Sequence, residues 1–147
     1  MKRIAKLINQ FLEWAGYAEK KQEIDIAKMT EDPMAFPYFL TLRNECISMI
    51  NTSLDEEELY AFLFCMAIDN ESEIILDSCK TYASDAFLQQ IISFGITFPQ
   101  SETRWQIAEL LQKDIPRKKE YLERLLCDEN AYVRKRASNI MGGQTNY

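Results

Sequence analysis

Residues 101–141 contain the same pattern twice, in the sequence SETRWQIAELLQKDIPRKKEYLERLLCDENAYVRKRASNIM. The matched positions, thirty residues apart, are Arg104 with Arg134, Ile107 with Ala137, and Leu110-Leu111 with Ile140-Met141. Each copy predicts a helix of about three turns. The segment from Pro116 to Cys127 predicts a further helix between them. Helix pairs that repeat at about thirty residues are typical of an α-solenoid, in which each unit buries its apolar face against its neighbours.

The length and composition predict one all-α domain over residues 1–147. The chain has 147 residues and is 47% hydrophobic, which is enough for a single core. It contains four glycines and four prolines, too few for the many turns of an all-β fold.

Apolar periodicity places the remaining helices. We expect N-terminal capping helices over residues 1–51, helix pairs over 55–141, and a frayed tail over 142–147. The capping region should contain helices over 1–17, 19–29 and 37–51, with a linker at 30–37. Ser53 and Glu56 suggest a capping box before a helix at 55–69 that is apolar on every side. The three expected pairs are 55–69 with 71–83, 84–97 with 101–113, and 116–127 with 130–141.

The missing residue types disfavour catalysis. The chain has no histidine, which removes the commonest general base and the commonest metal ligand. Its four cysteines are irregularly spaced and mostly lie in apolar runs, so we expect core residues in a reduced cytoplasm rather than a zinc site or disulfides. The sequence therefore predicts a non-enzymatic cytoplasmic protein without a cofactor or metal.

The second copy of the pattern resembles a known repeat family. Residues 128–137, DENAYVRKRA, followed by Ile140-Met141-Gly142, resemble the second helix of HEAT-like repeats. The resemblance is good over 100–142, weaker over 55–99 and absent before that. It implies a short right-handed HEAT-like solenoid of about three helix pairs. Structural roles would fall to Arg104, Asp128, Val133, Arg134 and Ala137, with Asp128 and Arg134 pairing between neighbouring units.

The resemblance also implies a set of functions. HEAT-like arrays are mostly protein-binding surfaces. One small branch comprises DNA glycosylases for alkylated bases, and another comprises lyases for phycobilin attachment. Short acidic members resemble bacterial immunity proteins, which neutralise a toxin deployed against neighbouring cells.

Acidic residues are concentrated in the middle of the chain. Residues 30–86 hold twelve Asp or Glu against Arg43 and Lys80, a local charge of −10, whereas residues 101–141 hold seven acids against nine bases. This block is either a solvated face or a surface that attracts a basic partner and speeds its association. The candidate partner-binding residues are Asp55, Glu56, Glu57, Glu58, Glu71, Glu73, Asp77, Glu102, Trp105 and Glu109.

Trp105 is the most informative single residue of the set. By the helical period it projects roughly 160° from Ile107 and so away from the core positions of its helix. It is either an exposed interface anchor or a side chain packed under a neighbouring helix. Both interpretations fit the sequence.

These observations favour a protein that binds and neutralises a basic partner, most specifically a nuclease toxin. The alternative is a general scaffold for an endogenous partner. A DNA glycosylase is a remote third hypothesis, because the net charge of −6 opposes binding to phosphate. We expect neither a nucleic acid nor a membrane as partner, since the basic start of the first helix suits a capping helix better than a membrane anchor.

Overall fold

The computed structural model describes residues 2–145, except for the side chains of residues 22, 144 and 145. Within this range the chain is all-α, as predicted, and no strand is present. The α-helices are α1 Arg3–Ala15, α2 Phe39–Ser48, α3 Glu56–Ile68, α4 Ile74–Tyr82, α5 Asp85–Gly95, α6 Ser101–Leu110, α7 Lys118–Leu126 and α8 Ala131–Thr145. Three short 3-10 helices, Lys21–Glu23, Ile26–Lys28 and Pro33–Ala35, lie between α1 and α2.

The prediction of an α-helix over residues 19–29 is wrong. Two 3-10 turns occupy this segment, and the Asp25 side chain caps the second by accepting from the backbone N–H of Ala27 at 3.1 Å. Ile24 and Ile26 are both buried. In an α-helix, side chains two residues apart lie about 160° apart, so a helix with a single buried face would not bury both. The expected linker at 30–37 likewise contains the short helix Pro33–Ala35.

Two predicted helix starts shift by a few residues. The predicted helix at 37–51 is α2, which begins at Phe39 rather than Pro37. The capping box of α3 is formed by Asp55 and Glu58, not by Ser53 and Glu56. The Asp55 carboxylate accepts from the Glu58 N–H at 2.8 Å, and the Glu58 carboxylate accepts from the Asp55 N–H at 3.1 Å. Both contacts satisfy N–H groups that the first turn of a helix leaves unpaired.

Helix α3 forms the centre of the core. Every residue from Ala61 to Ile68 is buried, as the continuous apolar sequence predicts. The helix contacts α1, α2, α4, α5 and α6. Buried side chains from α1 through α8 join in one hydrophobic cluster around it.

The remaining contacts follow a regular order. Helices α1, α3, α6 and α8 touch one another in succession, α1 to α3, α3 to α6, and α6 to α8. One further helix contacts both members of each neighbouring pair in this row. Helix α2 contacts α1 and α3, α5 contacts α3 and α6, and α7 contacts α6 and α8. Helix α4 stands outside the alternation and contacts α2, α3 and α6.

Polar side chains of α6 bind the backbone of α3. The Thr103 hydroxyl donates to the Leu63 carbonyl at 2.6 Å, and the Gln106 amide donates to the Met66 carbonyl at 2.7 Å. All four groups are buried, so these bonds exclude water and fix the register of the two helices. At the end of α5, Gly95 lets Ile107 of α6 approach closely.

The repeated motif supplies a buried ion pair between the two copies. Arg104 donates to the two carboxylate oxygens of Asp128 at 2.8 and 3.1 Å and to the carbonyl of Phe98 at 2.8 Å. Arg134 is exposed and donates to the Asp128 carbonyl at 2.6 Å. Val133 and Ala137 are fully buried. Asp128 thus contacts the arginines of both copies.

The tail predicted to fray from residue 142 is helical over part of its length. Helix α8 continues to Thr145. Residues 146–147 lie outside the described part of the chain. The two glycines at 142 and 143 do not end the helix, although glycine lowers helix propensity.

Candidate partner-binding cleft

The acids at the start of α3 are engaged within the protein. Lys2 pairs with Asp55 and, at 2.9 Å, with Glu58. These contacts hold the pKa of the Asp55 carboxyl below its ordinary value. Glu56 and Glu57 remain exposed beside this pair. The α3 N-terminus is therefore partly neutralised and joined to the start of the chain.

Two further candidate acids converge on one arginine. Arg136 of α8 pairs with Glu109 of α6 at 2.5 Å and with Glu73, just before α4, at 2.9 Å. Lys80 of α4 lies 4.0 Å from Glu109. The group joins α4, α6 and α8. Because their charges are compensated, Glu73 and Glu109 contribute little to an attractive surface, contrary to the sequence-based expectation.

Glu102 departs most from the predicted exposed acidic surface. It is only 5% exposed, near the start of α6. Burial raises the pKa of its carboxyl above the ordinary value, and the nearby charge of Asp25 raises it further. Hydrogen bonds from its own backbone N–H and from Ser101, together with the nearby charge of Arg104, lower the pKa in part, but Glu102 forms no ion pair with a described cation. A buried carboxylate without a direct ion pair is costly to keep ionised.

Trp105 is half-buried, between the two alternatives that its sequence position allows. Its ring meets the ring of Tyr132 edge to face, with centroids 4.8 Å apart. The Tyr132 hydroxyl in turn accepts from Arg136 at 3.2 Å. These contacts support the indole from the α8 side while leaving part of it accessible.

A cleft of about 280 Å³ opens beside Trp105. Its walls are the 3-10 segment at residues 26–33, the connection between α3 and α4, and the first turns of α6. Its lining residues include Met29, Glu31, Asp32, Glu71, Glu102 and Trp105. The structure thus brings three of the candidate residues, Glu71, Glu102 and Trp105, into one site.

All of the charged residues that line this cleft are acidic. Four carboxylates line it, from Glu31, Asp32, Glu71 and Glu102, and none of the described lining residues is basic. Asp32 also caps the following 3-10 helix by accepting from the Met34 N–H at 2.9 Å. Clefts lined by one sign of charge focus the field and raise the local concentration of opposite charge.

The other candidate acids lie away from the cleft. Glu56 and Glu57 are at the first turn of α3, whereas Glu71 follows its last turn. A helix of this length separates them by roughly 20 Å. Asp77 is exposed on α4 but does not line the cleft. The acids that the sequence groups together therefore do not form one continuous surface.

Four residues in or beside the cleft are not among the candidates that the sequence suggests. Glu31 and Asp32 lie in the segment predicted as a linker, yet they form one wall of the cleft. Tyr132 contacts the Trp105 ring, and Arg136 donates to the Tyr132 hydroxyl and pairs with Glu73 and Glu109. The Asp-Pro sequence at 32–33 marks a capped turn. Nothing in the sequence indicates that this turn folds against α6.

Comparisons with protein families, with curated proteins and with solved structures each find no match to this chain. Among the described residues, no helix is long and apolar enough to cross a membrane. Nor do the described side chains include a group of His, Cys, Asp or Glu that could hold a metal ion. Of the cysteines, Cys46, Cys65 and Cys79 are buried and Cys127 is exposed, all as free thiols.

Proposed function

We propose that this chain is a non-enzymatic protein-binding module that holds a basic partner protein. Its most specific form is a cytoplasmic immunity protein that neutralises a basic nuclease toxin. The observation that carries the proposal is the cleft beside Trp105, where four carboxylates and an aromatic ring meet without a basic residue. Aromatic anchors surrounded by polar groups are typical of the residues that dominate protein interfaces.

The proposed architecture is a short HEAT-like solenoid. Its units would be α2 with α3, α5 with α6, and α7 with α8, because each of these pairs is in contact and α3, α6 and α8 follow one another in a row. Helix α1 would extend that row at its N-terminal end, and α4 would be an insertion. The Arg104–Asp128 pair between the second and third units supports this arrangement.

A nuclease fits as partner because of its charge. Proteins that bind nucleic acid do so largely through basic residues that neutralise phosphate. A cleft with unpaired carboxylates is complementary to such a surface and would speed association at low salt. The same cleft opposes a DNA glycosylase activity, because it would repel the phosphates of duplex DNA.

The test is capture of the partner followed by an inhibition assay. The protein is immobilised, source-cell lysate is passed over it, and retained proteins are identified by mass spectrometry. A Trp105→Ala column runs in parallel, together with a Tyr82→Ala control. Tyr82 is 70% exposed and does not line the cleft, so its removal takes away an exposed aromatic elsewhere. The captured protein is then purified, and its nuclease activity is measured with and without the chain.

The expected result is a basic nuclease that is retained by the wild type and by Tyr82→Ala, lost from Trp105→Ala, and inhibited by the free chain. A basic partner without nuclease activity would replace the immunity function with the general scaffold. Retention of the same partner by Trp105→Ala would show that binding occurs at another surface. Thermal unfolding of both variants checks that neither loses its fold.

A further inference from the structure

Resting on the protein-binding function proposed above, we infer that the cleft beside Trp105 accepts one arginine side chain of the partner. The occupant would be a guanidinium group that reaches Glu102 past the Trp105 ring. Three features of the cleft favour it: the burial of Glu102, the aromatic wall and the size of the cleft.

Glu102 is the carboxylate whose burial most favours the binding of a cation. Of the four carboxylates in the cleft it is the buried one, with 5% of its surface exposed. The nearest basic side chain along its helix, Arg104, is occupied by Asp128 and by the carbonyls of Phe98 and Pro99. An incoming cation would therefore add a direct ion pair to the more distant charge of Arg104. Burial makes each such charge-assisted hydrogen bond stronger than it would be in water.

The aromatic wall favours arginine over lysine. The Trp105 ring is held on one side by Tyr132, at 4.8 Å between centroids, and the cleft opens beside it. A planar guanidinium stacks on an aromatic face and donates to two carboxylates in a fixed fork. It is also less strongly hydrated than an ammonium group, so entry into a partly buried cleft costs it less.

The size of the cleft suits a single side chain. Its volume of about 280 Å³ lies at the lower end of the range of roughly 300–1,000 Å³ that is usual for small-molecule ligands. Met29 and Ile26 give the lining an apolar part against which the methylene stem of an arginine can pack.

The test uses three short peptides that are identical except for one residue: arginine, lysine, or citrulline, which has the shape of arginine without its charge. Binding to the full chain is followed by the indole N–H signals in two-dimensional NMR. A Trp105→Phe variant assigns the Trp105 signal. Trp14, which packs against Phe11 and Phe36, provides an internal control in the same spectrum. Sodium chloride at matched ionic strength controls for a general salt effect.

The expected result is a saturable shift of the Trp105 signal by the arginine peptide, with millimolar affinity, and no shift by the citrulline peptide. The lysine peptide should bind several-fold more weakly. Glu102→Gln should weaken arginine binding by about tenfold, because it removes a charge-assisted contact. Glu57→Gln removes one exposed charge from outside the cleft and should leave the affinity unchanged.

Several outcomes would overturn the inference. They are the absence of a saturable shift, equal shifts by arginine and citrulline, equal affinity for arginine and lysine, or an equal loss from Glu102→Gln and Glu57→Gln. If Glu102→Gln fails to fold, Glu71→Gln replaces it, because Glu71 is exposed and lines the same cleft. Failure of the peptide test would leave the proposed function standing wherever the lysate column still retains a basic protein through Trp105.

Discussion

Replacing Gly95 with alanine should destabilise the protein although it raises helix propensity. A Cβ at this position would lie 2.6 Å from both Cγ1 and Cδ1 of Ile107 and 3.3 Å from Cδ2 of Leu63. The first two distances are far below van der Waals contact, and all three residues are buried where α3, α5 and α6 meet. Overpacking of this kind costs about 1–3 kcal/mol, against a propensity gain of at most about 1 kcal/mol. We expect a net loss of about 1–2 kcal/mol in the free energy of unfolding.

Urea denaturation of a double-mutant cycle separates the two effects. Ile107→Ala alone removes the obstructing atoms and should cost about 2–5 kcal/mol by leaving a cavity. In that background the two 2.6 Å contacts are gone and the 3.3 Å contact with Leu63 remains, so Gly95→Ala should no longer destabilise the protein. The control is Gly143→Ala in α8, where a new Cβ meets nothing within 4 Å. It should be neutral or slightly stabilising.

Additivity would refute the packing argument. If Gly95→Ala has the same effect with Ile107 present and absent, then Ile107 moves aside freely and the close approach of α5 and α6 is not constrained. A wild-type-like midpoint for Gly95→Ala alone would lead to the same conclusion. The cycle is interpretable only where the slope of the urea transition is unchanged.

Three further predictions concern charged groups. Asp128→Ala should cost about 3–5 kcal/mol in urea denaturation, because it leaves the buried Arg104 guanidinium without its carboxylate; a loss equal to that of Glu129→Ala, an exposed neighbour, would contradict it. Glu102 has a pKa raised from 4.5 in the fold, so its ionisation lowers stability as the pH rises through the folded value. The stability of Glu102→Gln relative to wild type should therefore increase from acidic to neutral pH in urea titrations, and a constant difference would be evidence against a buried ionised carboxylate. Lys2→Met should lower the thermal midpoint at low salt and have little effect at high salt, since its partners are on the surface; a salt-independent loss would point to packing instead.

Most of the helices could be predicted from the sequence because their apolar residues recur at helical spacing. The segment at 19–29 lacks that periodicity, and Ile24 and Ile26 are buried there as members of the main hydrophobic cluster. Local propensity is a weak guide where tertiary contacts decide the backbone path.

The repeat that the sequence suggests at residues 101–141 is difficult to extend toward the N-terminus. A step of thirty residues back from α6 reaches α4, but the helix that α6 follows in the row of contacts is α3. Thr103 bonds Leu63, forty residues earlier. Helix α4 lies between α3 and α5 in the chain and changes the spacing. In the solenoid proposed above, α4 is an extra element, and a search at one fixed period does not detect a repeat interrupted in this way.

The candidate site was predicted only in part. Glu71, Glu102 and Trp105 come together, but composition could not show which carboxylates already have a cation. The Glu73–Arg136 pair joins residues that are 63 positions apart. Charge counts along the chain place these two residues in blocks of opposite sign, and only the fold brings them into contact.

The position of α4 has a consequence for how the molecule comes apart. In a simple linear array each unit touches only the next, so the ends can fray while the middle stays folded. Here α4 contacts α2 and α6, and Glu73 beside it binds Arg136 of α8. Opening of the α7–α8 pair therefore disturbs α4, which also contacts α2 near the other end of the row. Amide hydrogen exchange in α2, α6 and α8 should report one shared opening event rather than a gradient of protection from one end to the other.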